Sequence, residues 1–340
     1  MTYSAGWNLR HATEAHVNNA GYVNDSDYDA DLDSPLVAVI GDSYVEALIV
    51  PHPRTLQGCL AQWLEGRGRV YSFAASGAPL SQYLAWAEFV AEEYRPDHVI
   101  FVVVGNDFDE SLARYKRGPG FHHFFERDGE LVLELVPYEP SPLRELVYAS
   151  ALARYLVFNL NVTAAWQQWK NRKEQGADGT SAEQPAYVAN TEAGASKERV
   201  EASRMAVDSF FSELGGLGAW RPDQVTFVVD AIRPFVYDGK NAEAIRASFA
   251  SQMRDYLMLR GRELGYNVID MHPIFERIHR REGLVFEFDD DSHWNEHGHR
   301  VAAQAVAGLP VFAPLFGFSP EELGRAIEHG CGRAEAPRSS

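Results

Sequence analysis

Leu36-Val37-Ala38-Val39-Ile40-Gly41-Asp42-Ser43-Tyr44 decides the fold. Its unbroken apolar run suits a strand buried on both faces of a parallel sheet. Gly41 permits a tight turn, and an apolar helical pattern follows. A strand feeding a helix in this way places Ser43 at the C-terminal edge of the sheet and at a helix start. Free backbone N–H groups and a partial positive charge there favour a developing oxyanion. Asp42 is expected to brace the turn by local hydrogen bonds. Asp-Ser is also an ordinary N-cap pair, so the structural reading stands beside the chemical one.

Outward from this block, four more short apolar runs read as strands, at residues 69–74, 98–104, 225–230 and 266–270. Apolar residues at three- and four-residue spacing predict helices over 80–94 and 242–264, and a last helix over about 299–307. Alternating strands and helices predict an α/β chain, a flavodoxin-like three-layer α/β/α sandwich of about five parallel strands. The core is expected in residues 35–107 and 222–312, after a wrapping N-terminal segment over 1–34. Residues 313–340 are expected as a C-terminal helix and tail.

Residues 108–221 break the rhythm after the third strand. A hairpin-like piece near 130–137 is followed by a helix predicted over 142–169. A mobile loop is expected over about 171–197, rich in Gly, Ala, Glu, Gln, Ser and Thr, and then a helix over 198–214. The insertion is read as a cap near the strand ends, where loops of such sheets carry function. An extra structural layer remote from the site is the other reading.

Composition narrows the function classes. Hydrophobic residues make up 46% of the 340, enough for a full core. The formal net charge of -17 opposes binding to a phosphate backbone, so no nucleic acid partner is expected. Neither a signal-like start nor a run of ~20 apolar residues occurs, so no membrane span is expected. The compartment stays open, a periplasmic or envelope-facing one included, and the sequence assigns no oligomeric state. Of the two cysteines, Cys59 lies in an apolar helical stretch and is read as a packed thiol, with no disulfide framework.

Three more blocks stand at strand ends. Ala74-Ala75-Ser76-Gly77-Ala78-Pro79 offers a glycine whose N–H can approach a substrate oxygen, or a simple turn. Val104-Gly105-Asn106-Asp107 offers an amide donor without charge, with Asp107 orienting it or tying down the loop. Phe288-Asp289-Asp290-Asp291-Ser292-His293-Trp294-Asn295 offers a base with carboxylates beside it. Read as a turn, the three-residue offset makes Asp290 the first choice to hold the imidazole, with Asp291 second.

These four blocks, in this order and each at a strand end, resemble the SGNH (GDSL-like) hydrolase superfamily. The Trp-Asn and Gly298-His299 that follow are similar to its carbohydrate- and envelope-linked members. The resemblance covers the sheet core, roughly 35–107 and 222–310, and not the insertion. It implies Ser43 as nucleophile, His293 as base, and Asp290 (or Asp291) as the supporting acid. It further implies an oxyanion hole of the Ser43 and Gly77 N–H groups and the Asn106 side chain. Asp42 and Asp107 would support the site. The activity implied is a serine esterase or O-acyltransferase acting on acyl, chiefly acetyl, esters of a carbohydrate. A lipid or small-ester esterase, and a catalytically idle glycan-binding module, are the alternatives.

Arg233, just past the fourth strand, would face the same edge. It is read either as a contact to substrate or as the partner of Asp230. Tyr115, Tyr148, Trp166 and Trp169 would stack on sugar rings or fill core. His293, His297 and His299 raise a metal reading, but Gly298 interrupts the helical spacing. His299 is read as a packing or capping residue, and no metal or other cofactor is expected.

Overall fold

The computed structural model describes residues 1–5, 11–139, 141–159, 187–239 and 242–331. Five strands form its central sheet: β1 (Leu36–Gly41), β2 (Arg69–Ala74), β3 (His98–Val103), β4 (Val225–Val229) and β5 (Asn267–Asp270). All neighbours pair in parallel, in the order β2-β1-β3-β4-β5. That is the doubly wound, flavodoxin-like order, with its switch point between β1 and β3. Every residue of β1, β3 and β4 is buried, which explains their lack of polar alternation. Each buried Val or Ile contributes about 1.5–3 kcal/mol relative to exposure.

Successive residues point to opposite faces, so Val37 and Val39 enter one core while Leu36, Ala38 and Ile40 enter the other. The first core holds α1 (Ser43–Glu46), α2 (Leu56–Trp63), α7 (Met271–Glu282) and α8 (Glu296–Ala307). The second holds α3 (Leu80–Glu93), α4 (Lys197–Gly216) and α6 (Phe249–Glu263). A short helix α5 (Arg233–Asp238) follows β4. Helix α4 lies in the sandwich itself: Val200, Val207, Phe210 and Phe211 pack with the inner face of β3 and β4. Register sets the site, because Gly41 stands opposite Ala74 and Ile40 opposite Phe101. Three neighbouring strands thus release the chain at one level.

The outer strand β2 has a free edge, which the N-terminal segment covers. Tyr28 Oη donates to Ser72 O (2.7 Å) and accepts from Ser72 N (2.8 Å), while Asn24 Nδ2 donates to Val70 O (3.3 Å). Ahead of it, Thr2–Ala5 pairs with His11–Glu14.

Several expectations need correction. The helix expected over 242–264 is two, Ala242–Ala247 and α6, because Ser248 caps the second by accepting from Ser251 N. The helix expected over 142–169 breaks at Ser150 into Pro142–Ala149 and Ala151–Arg154, and residues 160–169 lie outside the described residues. Of the loop expected over 171–197, residues 171–186 lie outside them too. The described remainder is not loop alone but includes a small hairpin, Tyr187–Val188 with Thr191–Glu192, and the start of α4. Cys59 is not a packed thiol. It joins Cys331 in a disulfide spanning 272 residues, because α2 packs against the C-terminal helix α9 (Pro320–Glu328) and brings the two Cα atoms to 5.0 Å. Among the described residues no helix is long and apolar enough to cross a membrane.

Candidate active site

At the end of β1 a Cβ on residue 41 would lie 2.4 Å from Val45 Cγ2, so glycine alone lets α1 fold back tightly. Asp42 caps α1, its Oδ1 accepting from Tyr44 N at 2.9 Å, with Ser43 Oγ 3.3 Å from Oδ2. Burial pushes the Asp42 carboxyl up to about 6. Ser43 is left facing the loop that carries His293.

That loop is a second small hairpin, Glu287–Phe288 with Asp291–Trp294. In an extended strand, residues two apart share a face, so Asp291 and His293 lie side by side while Asp290 sits in the preceding turn. Asp291 Oδ1 therefore meets His293 Nδ1, and it also accepts from His293 N at 2.9 Å. Asp290, the first choice from the sequence, instead lines a neighbouring hollow with Glu287, Asn295 and His297. On the far side of the ring, His293 Nε2 lies 2.7 Å from Ser43 Oγ. Burial alone would lower the imidazole pKa. Asp291, helped by the more distant charge of Asp42 on the Ser43 side, outweighs burial and raises it above the ordinary value.

Gly77 has φ +81, the left-handed region that glycine reaches without strain. Its flank is pinned by Ser76, whose N donates to Glu46 Oε2 at 2.8 Å. Asn106 Nδ2 donates to Glu110 Oε2 at 3.2 Å. Asp107 does not touch that amide. It ties down the loop, accepting from Val104 N (2.8 Å) and Tyr83 Oη (3.1 Å), and burial holds its carboxyl well above the usual range.

Of the two readings of Arg233, the geometry is that of the ion pair. The residue is 5% exposed, and Nη1 donates to both Asp230 oxygens at 2.7 and 2.6 Å. Nε reaches Glu287 Oε2 at 3.1 Å, and Nη2 donates to Tyr44 Oη (2.5 Å) and Ser292 O. Trp294 Nε1 donates to Asp230 Oδ1 at 2.7 Å. The network ties the strand end after β4 to the residue beside Ser43 and to both strands of the histidine hairpin. Breaking a buried pair of this kind costs about 3–5 kcal/mol.

The insertion reaches the same place. A Cβ on residue 105 would lie 2.3 Å from Ala189 O, so Gly105 is the floor on which the 187–192 hairpin rests. Its turn residues Ala189 and Asn190 take φ of 51 and 65. Asn190 then bridges the site, Nδ2 donating to Tyr44 Oη at 3.2 Å while Ser292 Oγ donates to Oδ1 at 2.5 Å. Arg199 clamps this hairpin to the core through Asp109 (2.7 Å), Glu192 O (2.9 Å) and Thr191 Oγ1 (2.6 Å). Sequence reasoning missed Tyr44, Asn190, Glu110 and Glu287. Only Asn190 carried a local signal, as a residue that tolerates positive φ in a tight turn.

The remaining histidines have other partners. His299 is buried and accepts from Leu56 N at 3.2 Å, with its pKa lowered to about 3 by burial and by His293. His297 Nδ1 lies 3.2 Å from Arg300 Nη2. Tyr115 and Tyr148 are exposed and do not fill core, whereas Trp166 and Trp169 lie outside the described residues.

No family model and no curated protein sequence matches the chain. Solved structures with a similar chain path include an α/β hydrolase from the metagenome of Lake Arreo, Spain, at 13% identity and TM-score 0.44, covering 85% of this chain and 98% of that one. An acetylxylan esterase from Geobacillus stearothermophilus is similar at 11% identity and TM-score 0.41, covering 84% and 95%. A lipase/acylhydrolase from Enterococcus faecalis is similar at 10% identity and TM-score 0.39, covering 89% and 100%.

Proposed function

We propose that this chain is a serine-dependent ester hydrolase or O-acyltransferase of the SGNH (GDSL-like) type, working through an acyl-enzyme on Ser43. The observation that carries the reading is the 2.7 Å approach of Ser43 Oγ to His293 Nε2, from positions 250 apart. With its Nδ1 proton donated to Asp291, the imidazole offers Nε2 as acceptor for the Ser43 hydroxyl.

Ser43 Oγ attacks the ester carbonyl carbon as its proton passes to His293 Nε2. The carbonyl oxygen becomes an oxyanion facing the N–H groups of Ser43 and Gly77 and the second N–H of Asn106 Nδ2. One such donor is worth about 2.7–4 kcal/mol. Collapse breaks the ester C–O bond, and the leaving alkoxide takes the proton from His293. Water or a second hydroxyl then gives its proton to His293 and attacks the acyl carbon. The bond to Ser43 Oγ breaks and His293 returns the proton to Oγ, so hydrolysis and transfer differ only in the acceptor.

Acyl, chiefly acetyl, esters of a carbohydrate are the proposed substrates. Tyr115, Tyr138, Tyr148 and Tyr187 of the insertion are all exposed, and tyrosine rings offer flat apolar faces to sugars. The Cys59–Cys331 pair supports an oxidising compartment, periplasmic or outside the cell. The test is release of acetate from acetylated oligosaccharides, with and without an acyl donor, by the wild type and Ser43→Ala. Release or transfer by the wild type alone is expected. Equal turnover by both proteins, or by neither, contradicts the reading.

A further inference from the structure

The segment after the third strand places a lysine beside the proposed oxyanion hole. Glu110 lies in a 3-10 turn, Asp109–Ser111, and its Oε2 accepts from Asn106 Nδ2 at 3.2 Å. The same oxygen accepts from Lys116 Nζ, which also donates to Gly77 O at 3.3 Å. Four atoms thus form one chain, Asn106 Nδ2 to Glu110 to Lys116 to Gly77 O, and its two ends belong to two of the three proposed oxyanion donors. The pair is partly shielded, with side chains 34% and 26% exposed, so salt screens it less than a surface pair.

Two further observations give this chain a task. Asn106 Oδ1 is buried and, among the described residues, has no hydrogen-bond partner, so Glu110 is what fixes the turn of the amide. Nδ2 carries two hydrogens, and engaging one with Glu110 leaves the other to point outward. Holding an amide with a carboxylate brings a cost, because a negative charge then stands next to the place where the oxyanion forms. Asp42 and Asp107 are buried close by and feel Glu110. Lys116 supplies the compensating positive charge at that end of the site.

We propose that the Glu110–Lys116 pair is a positioning device, in which Glu110 aims the Asn106 amide at the oxyanion and Lys116 cancels the repulsion that Glu110 would exert on it. The proposal rests on the acyl-enzyme reading. In this arrangement the benefit is felt only as charge develops, so it enters kcat and leaves substrate affinity nearly untouched.

The test compares the wild type with Lys116→Met, Lys116→Arg and the double variant Lys116→Met/Glu110→Gln on an activated acetyl ester, together with the rate of fluorophosphonate labelling. Lys116→Met is expected to lose about tenfold or more in kcat and in labelling rate, with KM within about twofold. Lys116→Arg keeps the charge and is expected within about threefold of the wild type. The double variant, whose glutamine still accepts from Asn106 without bearing charge, is expected to recover most of the loss. A purely structural role for Lys116 predicts no such rescue. Wild-type kcat in Lys116→Met, a change in KM alone, or a double variant no better than the single would each overturn the proposal. A wild type that fails to label at Ser43 would instead break the acyl-enzyme reading itself.

Discussion

Ser43, Gly77 and Asn106 each stand two or three residues beyond a buried strand, whereas Lys116, Glu110 and Asn190 belong to the long segment between β3 and β4. The first group is held by the register of three parallel strands, which the core on both faces fixes. The second group is held by side-chain bonds between distant positions, such as Asn190 to Tyr44 across 146 residues. On the proposed reading, the sheet edge sets where chemistry occurs, and the insertion sets how the donors are aimed and what walls the site. Loss of the Ser43 hydroxyl or the Asn106 amide is expected to cut turnover by about two orders of magnitude or more with the fold intact. Substitutions in the second group are expected to tune it.

The largest effect is expected at the proposed nucleophile. Ser43→Ala should lower kcat by about 10⁴- to 10⁶-fold with little change in Tm, measured with an activated ester. Next comes the carboxylate behind the histidine, where the two adjacent aspartates can be told apart. Asp291→Asn should cost about 10²- to 10⁴-fold in kcat, while Asp290→Asn should stay within about threefold. The reverse order would restore the turn geometry and contradict the hairpin.

The same pair of aspartates has a pH signature. His293 acts as base only when neutral, and its pKa is raised, so kcat/KM should fall on acidification through a value above the ordinary ~6.5. In Asp291→Asn the larger raising influence is gone, and burial, which lowers the pKa, is opposed by the weaker pull of Asp42 alone. The acid limb should therefore move to lower pH. A limb that stays in place would separate His293 from the observed titration. For stability the sign is opposite: the contribution of protonated His293 is present below about pH 6.5 and lost as pH rises through its folded value.

Two stability predictions sharpen the contrast between the regions. Cys331→Ser should lower stability by about 2–5 kcal/mol, seen by denaturant titration, with kcat of the folded protein retained. Gly105→Ala should cost about 1–3 kcal/mol, because the new Cβ meets Ala189 O at 2.3 Å and the hairpin must move. Unlike the cysteine change, it should also alter KM, since Asn190 moves with the hairpin.

The parts legible in the sequence are those with local causes. Strands buried on both faces show as apolar runs, and a serine after strand and glycine shows as a block at a sheet edge. Asp291 is hard to prefer over Asp290 from sequence, because the Glu287–Phe288 pairing that makes 291–294 extended joins very short strands with weak local pattern. The 272-residue disulfide had no local signal, since neither cysteine's neighbours reveal that α2 meets the C-terminal helix. Arg233 was legible as a residue at the site edge. Its direction was not, because it is set by Glu287, Tyr44 and Ser292 arriving from other elements. The Glu110–Lys116 pair fell in the segment with no block to match, where spacing alone does not say what a charge faces.

The most direct test is to label the wild type and His293→Ala with a fluorophosphonate probe and map the modified residue by peptide mass spectrometry. One adduct per chain on Ser43, formed at least about 10³-fold more slowly in His293→Ala, is the expected result. An adduct elsewhere, or labelling of Ser43 that does not depend on His293, would contradict the pairing on which the proposed reaction is built.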